Sequence, residues 1–208
     1  MTDRQSDTID TIDEQPRDHH ECPWWIGYLI ASPLRKLGDH PETILRPLVE
    51  PGMTAVDVGS AMGFFSLPLA RKVGPTGRVI CLDVQQRMLS SLAKRARRKK
   101  LDGIIETRCC TQEDLGIDDL TGEVNLALAI HVVHESAYPK RFLTQIRDVL
   151  RPGGRLLVIE PAGHVSEEEF DRTLAVCSEV GLVPLDDRVK LPSRSRGMLL
   201  ERPRIAAP

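Results

Sequence analysis

The chain has 208 residues, 41% of them hydrophobic and 28% charged, with a formal net charge of −2 at pH 7. That length gives one α/β domain with a large buried core and a short extension, and excludes a second full domain. No apolar run approaches the roughly 18 residues of a membrane span, no signal pattern opens the chain, and the charge offers no global field for nucleic acid or an anionic membrane, so a soluble cytoplasmic protein with a small-molecule substrate is expected.

Residues 1–21 are rich in Asp, Glu, Thr and Gln with almost no apolar content. They cannot bury enough surface to offset the entropy of ordering, so a disordered acidic tail is expected there. Structure should begin with a helical segment over residues 22–50, where Trp24, Trp25 and Tyr28 hold both tryptophans and one of the two tyrosines of the chain. A helix over residues 41–49 has Asp39 as its candidate N-cap and Pro51-Gly52 as its stop. From Met53 onward, short apolar runs alternate with amphipathic stretches, the pattern of a parallel sheet with helices on both faces. The expected strands cover residues 53–57, 78–83, 105–110, 124–130 and 154–160. The expected helices cover 64–73, 85–99 and 139–150, the last ended by Pro152-Gly153-Gly154. A further helix over 166–180 opens with a Ser166-Glu-Glu-Glu169 capping box and closes at Gly181. Two last strands, 182–188 and 196–201, stand too close in sequence for a crossover helix and should pair antiparallel.

The segment Val56-Asp57-Val58-Gly59-Ser60-Ala61-Met62-Gly63 reads as a buried strand running into a tight glycine turn before a helix. Gly59 allows the sharp bend, and Gly63 allows close approach of the backbone to a ligand. The next strand, Val79-Ile80-Cys81-Leu82-Asp83, ends in an acid roughly two dozen positions after Gly59, where a carboxylate accepts both hydroxyls of an adenosine ribose or, alternatively, caps the helix that follows. Val84 and Met88 are placed to flank an adenine ring. NAD and S-adenosylmethionine (SAM) both satisfy these elements. SAM is favoured because Ala61 stands where the second glycine of a pyrophosphate loop belongs, and because Asp57 would repel a diphosphate but attract the cationic methionyl end.

These residues resemble the class I SAM-dependent methyltransferases, in the methyltransferase-11 or ubiquinone/menaquinone-methyltransferase-like small-molecule branch. The resemblance runs over residues 48–201. It is supported further by the stretch from Asn125 to His134 and by Leu150-Arg151-Pro152-Gly153-Gly154-Arg155-Leu156, similar to a stretch before the fifth strand of that family. It implies a Rossmann-like, seven-stranded, mostly parallel sheet whose last strand is antiparallel, with the SAM-binding domain over residues 51–208. It also implies that Gly59, Ser60, Ala61 and Gly63 line the methionine and ribose, with Asp57 at the amino group, Asp83 on the ribose diol, and Val84 and Ile130 beside the cofactor. Thr111 or Gln112 takes the adenine contact that an Asp makes in the family, and Asn125 replaces the usual acid at the start of the fourth strand. By the same resemblance the segment carrying Trp24, Trp25 and Tyr28 folds over the crevice as a lid and shapes the acceptor site; the alternative is simple packing of an N-terminal helix on the sheet.

Methyl transfer is an in-line displacement in which alignment does most of the work, with a base needed only when the acceptor loses a proton. The carboxyl ends of the fourth and fifth strands bring His131, His134, Glu135, Glu160 and His164 toward that region. Three readings stand for them: strand-end hydrogen bonding in an ordinary turn, a general base or acceptor-orienting group at His131 or His134, or a mononuclear metal site from His131, His134, Glu160 and His164. The order His-x-x-His-Glu is not that of a zinc protease. The five cysteines, Cys22, Cys81, Cys109, Cys110 and Cys177, lack paired spacing and are expected as free thiols. Cys22 beside the tryptophans raises a metalloid acceptor of the arsenite type. The basic run Lys94-Arg95-Ala96-Arg97-Arg98-Lys99-Lys100 is explained by the helix dipole and solvation or by an anionic partner such as RNA. The expected function is a SAM-dependent methyltransferase for a small molecule. A SAM- or S-adenosylhomocysteine-binding module without catalysis, a metalloid methyltransferase and an NAD-dependent oxidoreductase are the alternatives.

Overall fold

A computed structural model describes residues 41–186, 189, 191 and 194–204. The acidic tail, Cys22, Trp24, Trp25, Tyr28 and Asp39 lie outside the described residues.

Five parallel strands are laid down in turn: β1 (Thr54–Val58), β2 (Arg78–Asp83), β3 (Ile105–Cys109), β4 (Val124–Ile130) and β5 (Leu150–Pro161). A two-residue β6 (Val183–Pro184) and β7 (Ser195–Glu201) complete a seven-stranded sheet in the order β3-β2-β1-β4-β5-β7-β6, with β7 antiparallel to both of its neighbours. This is the Rossmann-like sheet with a reversed last strand that the sequence leads one to expect. The run of apolar residues in β1, β2 and β4 reflects burial on both faces. At the edge, β3 reads Ile-Glu-Thr-Arg-Cys and is half exposed.

Because successive side chains of a strand point to opposite faces, the sheet divides one apolar population into two cores. Ala55, Val79, Cys81, Leu126, Leu128, Leu157 and Ile159 pack with α1 (Pro41–Leu45), α2 (Ser66–Val73) and α3 (Gln86–Arg98). Val56, Val58, Ile80, Leu82, Ala127, Ala129 and Val158 pack with α4 (Pro139–Val149) and α5 (Glu167–Glu179). The capping box at α5 is present: Ser166 Oγ accepts from Glu169 N at 3.2 Å, and Glu169 Oε2 accepts from Ser166 N at 2.8 Å.

Some boundaries differ from the sequence expectation. Helix α1 ends at Leu45, short of residue 49, and α2 begins at Ser66 after the glycine loop, not at Phe64. Helix α4 ends at Val149 and strand β5 starts directly at Leu150, so Pro152-Gly153-Gly154 does not end the helix but makes a register shift inside the strand, where Gly153 N donates to Arg202 O at 2.7 Å. Among the described residues, no helix is long and apolar enough to cross a membrane.

Candidate active site

Strand β1 is flanked by β2 on one side and β4 on the other, so the chain order reverses there and the loops after β1 and β4 diverge to opposite faces. Such a switch point opens a crevice at the carboxyl ends of the strands. The loop after β1 borders it with three residues in left-handed conformation: Gly59 at φ +71°, Ala61 at +45° and Gly63 at +83°. A Cβ on Gly59 would come within 2.7 Å of Val132 Cγ2, so this turn abuts the one after β4. At Gly63 the sequence suggests close approach to a ligand. The structure adds a second reason for glycine, since a Cβ there would overlap Leu92 Cδ1 of α3. The missing side chain makes room for a helix.

Ser60 N donates to Leu82 O at 2.9 Å, and Ser60 O accepts from Gly63 N at the same distance. Its hydroxyl is buried without a hydrogen-bond partner among the described residues. Asp83, 8% exposed at the end of β2, reaches across: Oδ2 accepts from Ala61 N at 2.9 Å and Oδ1 from Gln85 N at 2.8 Å. One carboxylate thus secures the glycine loop and the entry to α3, whose N-cap position is taken by Gln85 and not by Asp83. Asp57 differs from the open carboxylate expected at a cationic ligand. It is 3% exposed, and its Oδ2 accepts from Ser66 Oγ at 2.5 Å, tying β1 to the first turn of α2. Burial pushes its carboxyl up to about 7, the Ser66 bond opposes this, and the negative charge of Asp83 adds to it. Ser66 went unnoticed in the sequence; a hydroxyl at the start of the helix after the glycine turn was the available signal.

Thr111 stands exposed after β3, its hydroxyl accepting from Asp114 N at 2.9 Å. Gln112 Oε1 accepts from Ala137 N at 3.3 Å and so bridges the loops after β3 and β4. Half-buried Val84 and Ile130 follow β2 and end β4. Asn125 lies at the amino end of β4, away from the crevice, where its Oδ1 satisfies Thr54 N at 2.9 Å. In the basic run Arg95 turns inward, and its Nη1 donates to Met62 O in the glycine loop.

On the other side of the switch point, His131 takes a left-handed φ of +58° directly after β4 and donates its N–H to Ile159 O at 2.7 Å. The single 3₁₀ turn Val133–Glu135 that follows presents His134 to Glu160, which is 1% exposed on β5. Glu160 Oε2 lies 2.6 Å from His134 Nδ1, and Oε1 accepts the His134 N–H at 3.1 Å. His164 sits on the exposed turn after β5, with its N–H donating to Pro161 O at 3.0 Å, and takes no part in that pair. Among the described residues no three His, Cys, Asp or Glu side chains meet in a set that could hold a metal ion.

A methyltransferase-domain family model matches residues 49–185. The chain is 32% identical over 121 residues to the ubiquinone/menaquinone biosynthesis C-methyltransferase UbiE of Bordetella avium (strain 197N), covering 57% of this chain and 44% of that protein. It is 29% identical over 140 residues to the arsenite methyltransferase of Halobacterium salinarum, covering 66% of this chain and 35% of that one. The matched stretch thus spans less than half the length of these curated relatives. Among solved structures, a SAM-dependent methyltransferase from Aquifex aeolicus aligns with a TM-score of 0.76 at 21% identity, over 87% of this chain and 99% of that one. The [4+2]-cyclase SpnF aligns at 0.66 with 18% identity, over 79% and 80%. At these identities the structural likeness is one of fold.

Proposed function

This chain belongs to the class I methyltransferase-domain family, and from that premise we propose that it binds SAM at the carboxyl ends of β1 and β2 and methylates a small molecule held beside β4 and β5. The observation that carries the reading is the carboxylate of Asp83, bonded at 2.9 Å to the N–H of Ala61 in the glycine loop. That carboxylate ends the second strand, the position from which an acid holds the ribose hydroxyls of an adenosine in doubly wound sheets. The buried Ser60 hydroxyl, without a hydrogen-bond partner among the described residues, supports a polar ligand at the same loop. When bound, SAM supplies a methyl group activated on a sulfonium. In this reading Gly59, Ser60, Ala61 and Gly63 bind its methionyl and ribose portions through the loop backbone, Val84 and Ile130 flank it, and Thr111 or Gln112 serves the adenine. Asp57 acts from beneath, holding the loop and α2 together through Ser66.

The metalloid alternative gains little from the cysteines. Thiolates are the ligands of such acceptors, and burial pushes the Cys110 and Cys177 thiols up to about 12 and Cys81 well above its ordinary value. The thiols of Cys81, Cys109, Cys110 and Cys177 are free, which supports assigning the reaction to the reducing cytoplasm.

Calorimetry with S-adenosylhomocysteine tests the reading. Asp83→Ala should weaken binding by about 1.5–3 kcal/mol, the worth of charge-assisted hydrogen bonds. A parallel unfolding curve separates that loss from any loosening of the Ala61 and Gln85 contacts. Affinity unchanged within a few tenths of a kcal/mol in a folded variant removes the ribose role, and a wild-type protein that does not bind at all removes the SAM reading.

A further inference from the structure

Helices α1, α2 and α3 and the end of the glycine loop border a recess of about 210 Å³. That is smaller than the roughly 300–1,000 Å³ of a pocket for a drug-sized ligand. Three cations line it: Arg71 in the last turn of α2, Arg95 in the last turn of α3, and Lys99 directly after that helix. Glu42 on α1 is the one carboxylate among the lining residues, and Thr43 adds a hydroxyl. Of the loop and strand-end residues proposed to hold SAM, Gly63 alone lines this recess.

The negative ends of α2 and α3 account for cations in their last turns, but not for the convergence of three on one recess. Arg95 and Lys99 stand four positions apart on one face of the chain, where like charges oppose each other. Among the described residues neither has a carboxylate partner; Arg95 Nη1 donates to Met62 O in the glycine loop, while Glu42 Oε1 lies 3.5 Å from Arg71 Nη1. Burial and the neighbouring charge of Arg98 lower the Arg95 pKa, so this guanidinium is held where its charge is poorly compensated.

We propose that the recess binds the phosphoryl group of a small phosphate monoester, at a site separate from the SAM crevice and independent of the SAM reading. Three cations against one carboxylate leave an excess of two positive charges, which matches the charge of about −1.5 to −2 that such a monoester carries at pH 7. The guanidiniums of Arg71 and Arg95 offer planar donor forks suited to phosphate oxygens, and Lys99 adds a point charge. A recess of this size holds one phosphoryl group. A polynucleotide needs cations spaced along a track with aromatic platforms for its bases, and the basic run 94–100 contains no aromatic residue.

Phosphorus NMR titration of the full chain in a phosphate-free buffer, with inorganic phosphate and then glycerol 3-phosphate as probes, tests the proposal. Wild type should bind one equivalent saturably, with or without S-adenosylhomocysteine, and the Thr43 and Gly63 amides should shift in nitrogen–proton spectra. Arg71→Gln/Lys99→Gln should weaken binding about tenfold or more, for the loss of two charge-assisted contacts. Lys94→Gln/Arg97→Gln removes the same charge from exposed positions outside the recess, and its affinity should stay within about twofold of wild type, as screened surface charges allow. Thermal unfolding shows whether both variants fold; where the first does not, Lys99→Gln against Lys94→Gln makes the same comparison. The proposal is overturned by a lack of saturable glycerol 3-phosphate binding or by equal weakening in the paired variants, the mark of a diffuse basic surface. It is also overturned if S-adenosylhomocysteine displaces the phosphate, which would put the anion in the cofactor crevice, or if a uridine oligonucleotide or phosphatidic acid vesicles bind while glycerol 3-phosphate does not.

Discussion

At Asp57 the end of β1 meets the start of α2 through a single 2.5 Å bond from Ser66 Oγ. The carboxyl titrates at about 7 in the folded protein, against 3.8 for an ordinary Asp. A group whose pKa is raised by folding binds its proton more tightly in the native state. Its contribution to stability is complete below about 3.8 and is lost as pH rises through about 7. Asp57→Asn keeps a polar partner for Ser66 and removes that titration. Thermal unfolding at pH 4.5, 6 and 7.5 should show the variant gaining on wild type with each step up; a constant difference between the two would contradict the assignment. That an acid stood at the end of the first strand was plain from the residues. Its closure from solvent and its Ser66 partner were not, because a partner nine positions away across a turn has no periodic signature.

The glycine loop is held in place by the packing of α3. Gly63 combines a φ of +83° with a Cβ position already filled by Leu92, a fully buried residue of that helix. Gly63→Ala therefore meets both backbone strain and overpacking, together costing about 1–3 kcal/mol in chemical denaturation. In the double variant with Leu92→Ala the costs should be less than additive by about 0.5–3 kcal/mol, since the second change vacates the space. Strict additivity would mean that the two residues do not compete for it. Among the described residues the element types were legible: the apolar runs of β1, β2 and β4, the capping box of α5 and the antiparallel pairing of β7 all followed from local pattern. The early start of β5 did not, because pairing with β4 and β7 overrides the breaking tendency of Pro152-Gly153 and absorbs it as a bulge.

Across the whole molecule, the two cores meet at one sheet, so a ligand gripping the loops at its carboxyl edge stabilises both. S-adenosylhomocysteine at 100 times its Kd should add about 2.7 kcal/mol to the folded state, a rise of roughly 5–10 °C in Tm for a chain of this size. NAD at the same concentration should give a much smaller rise; a larger one would favour the oxidoreductase alternative. By itself the sequence determined the strands and the helices between them, because strand periodicity, turn chemistry and capping are local and survive in one dimension, while the family and the sheet's full strand count came from the resemblance of its motifs. Only the tertiary structure decided that Glu160 grips His134 while His164 stays outside, that Asp57 turns inward to Ser66, and that Gly63 yields to Leu92. Those contacts join residues from different elements, and their distances depend on how the strands line up and how closely the helices pack.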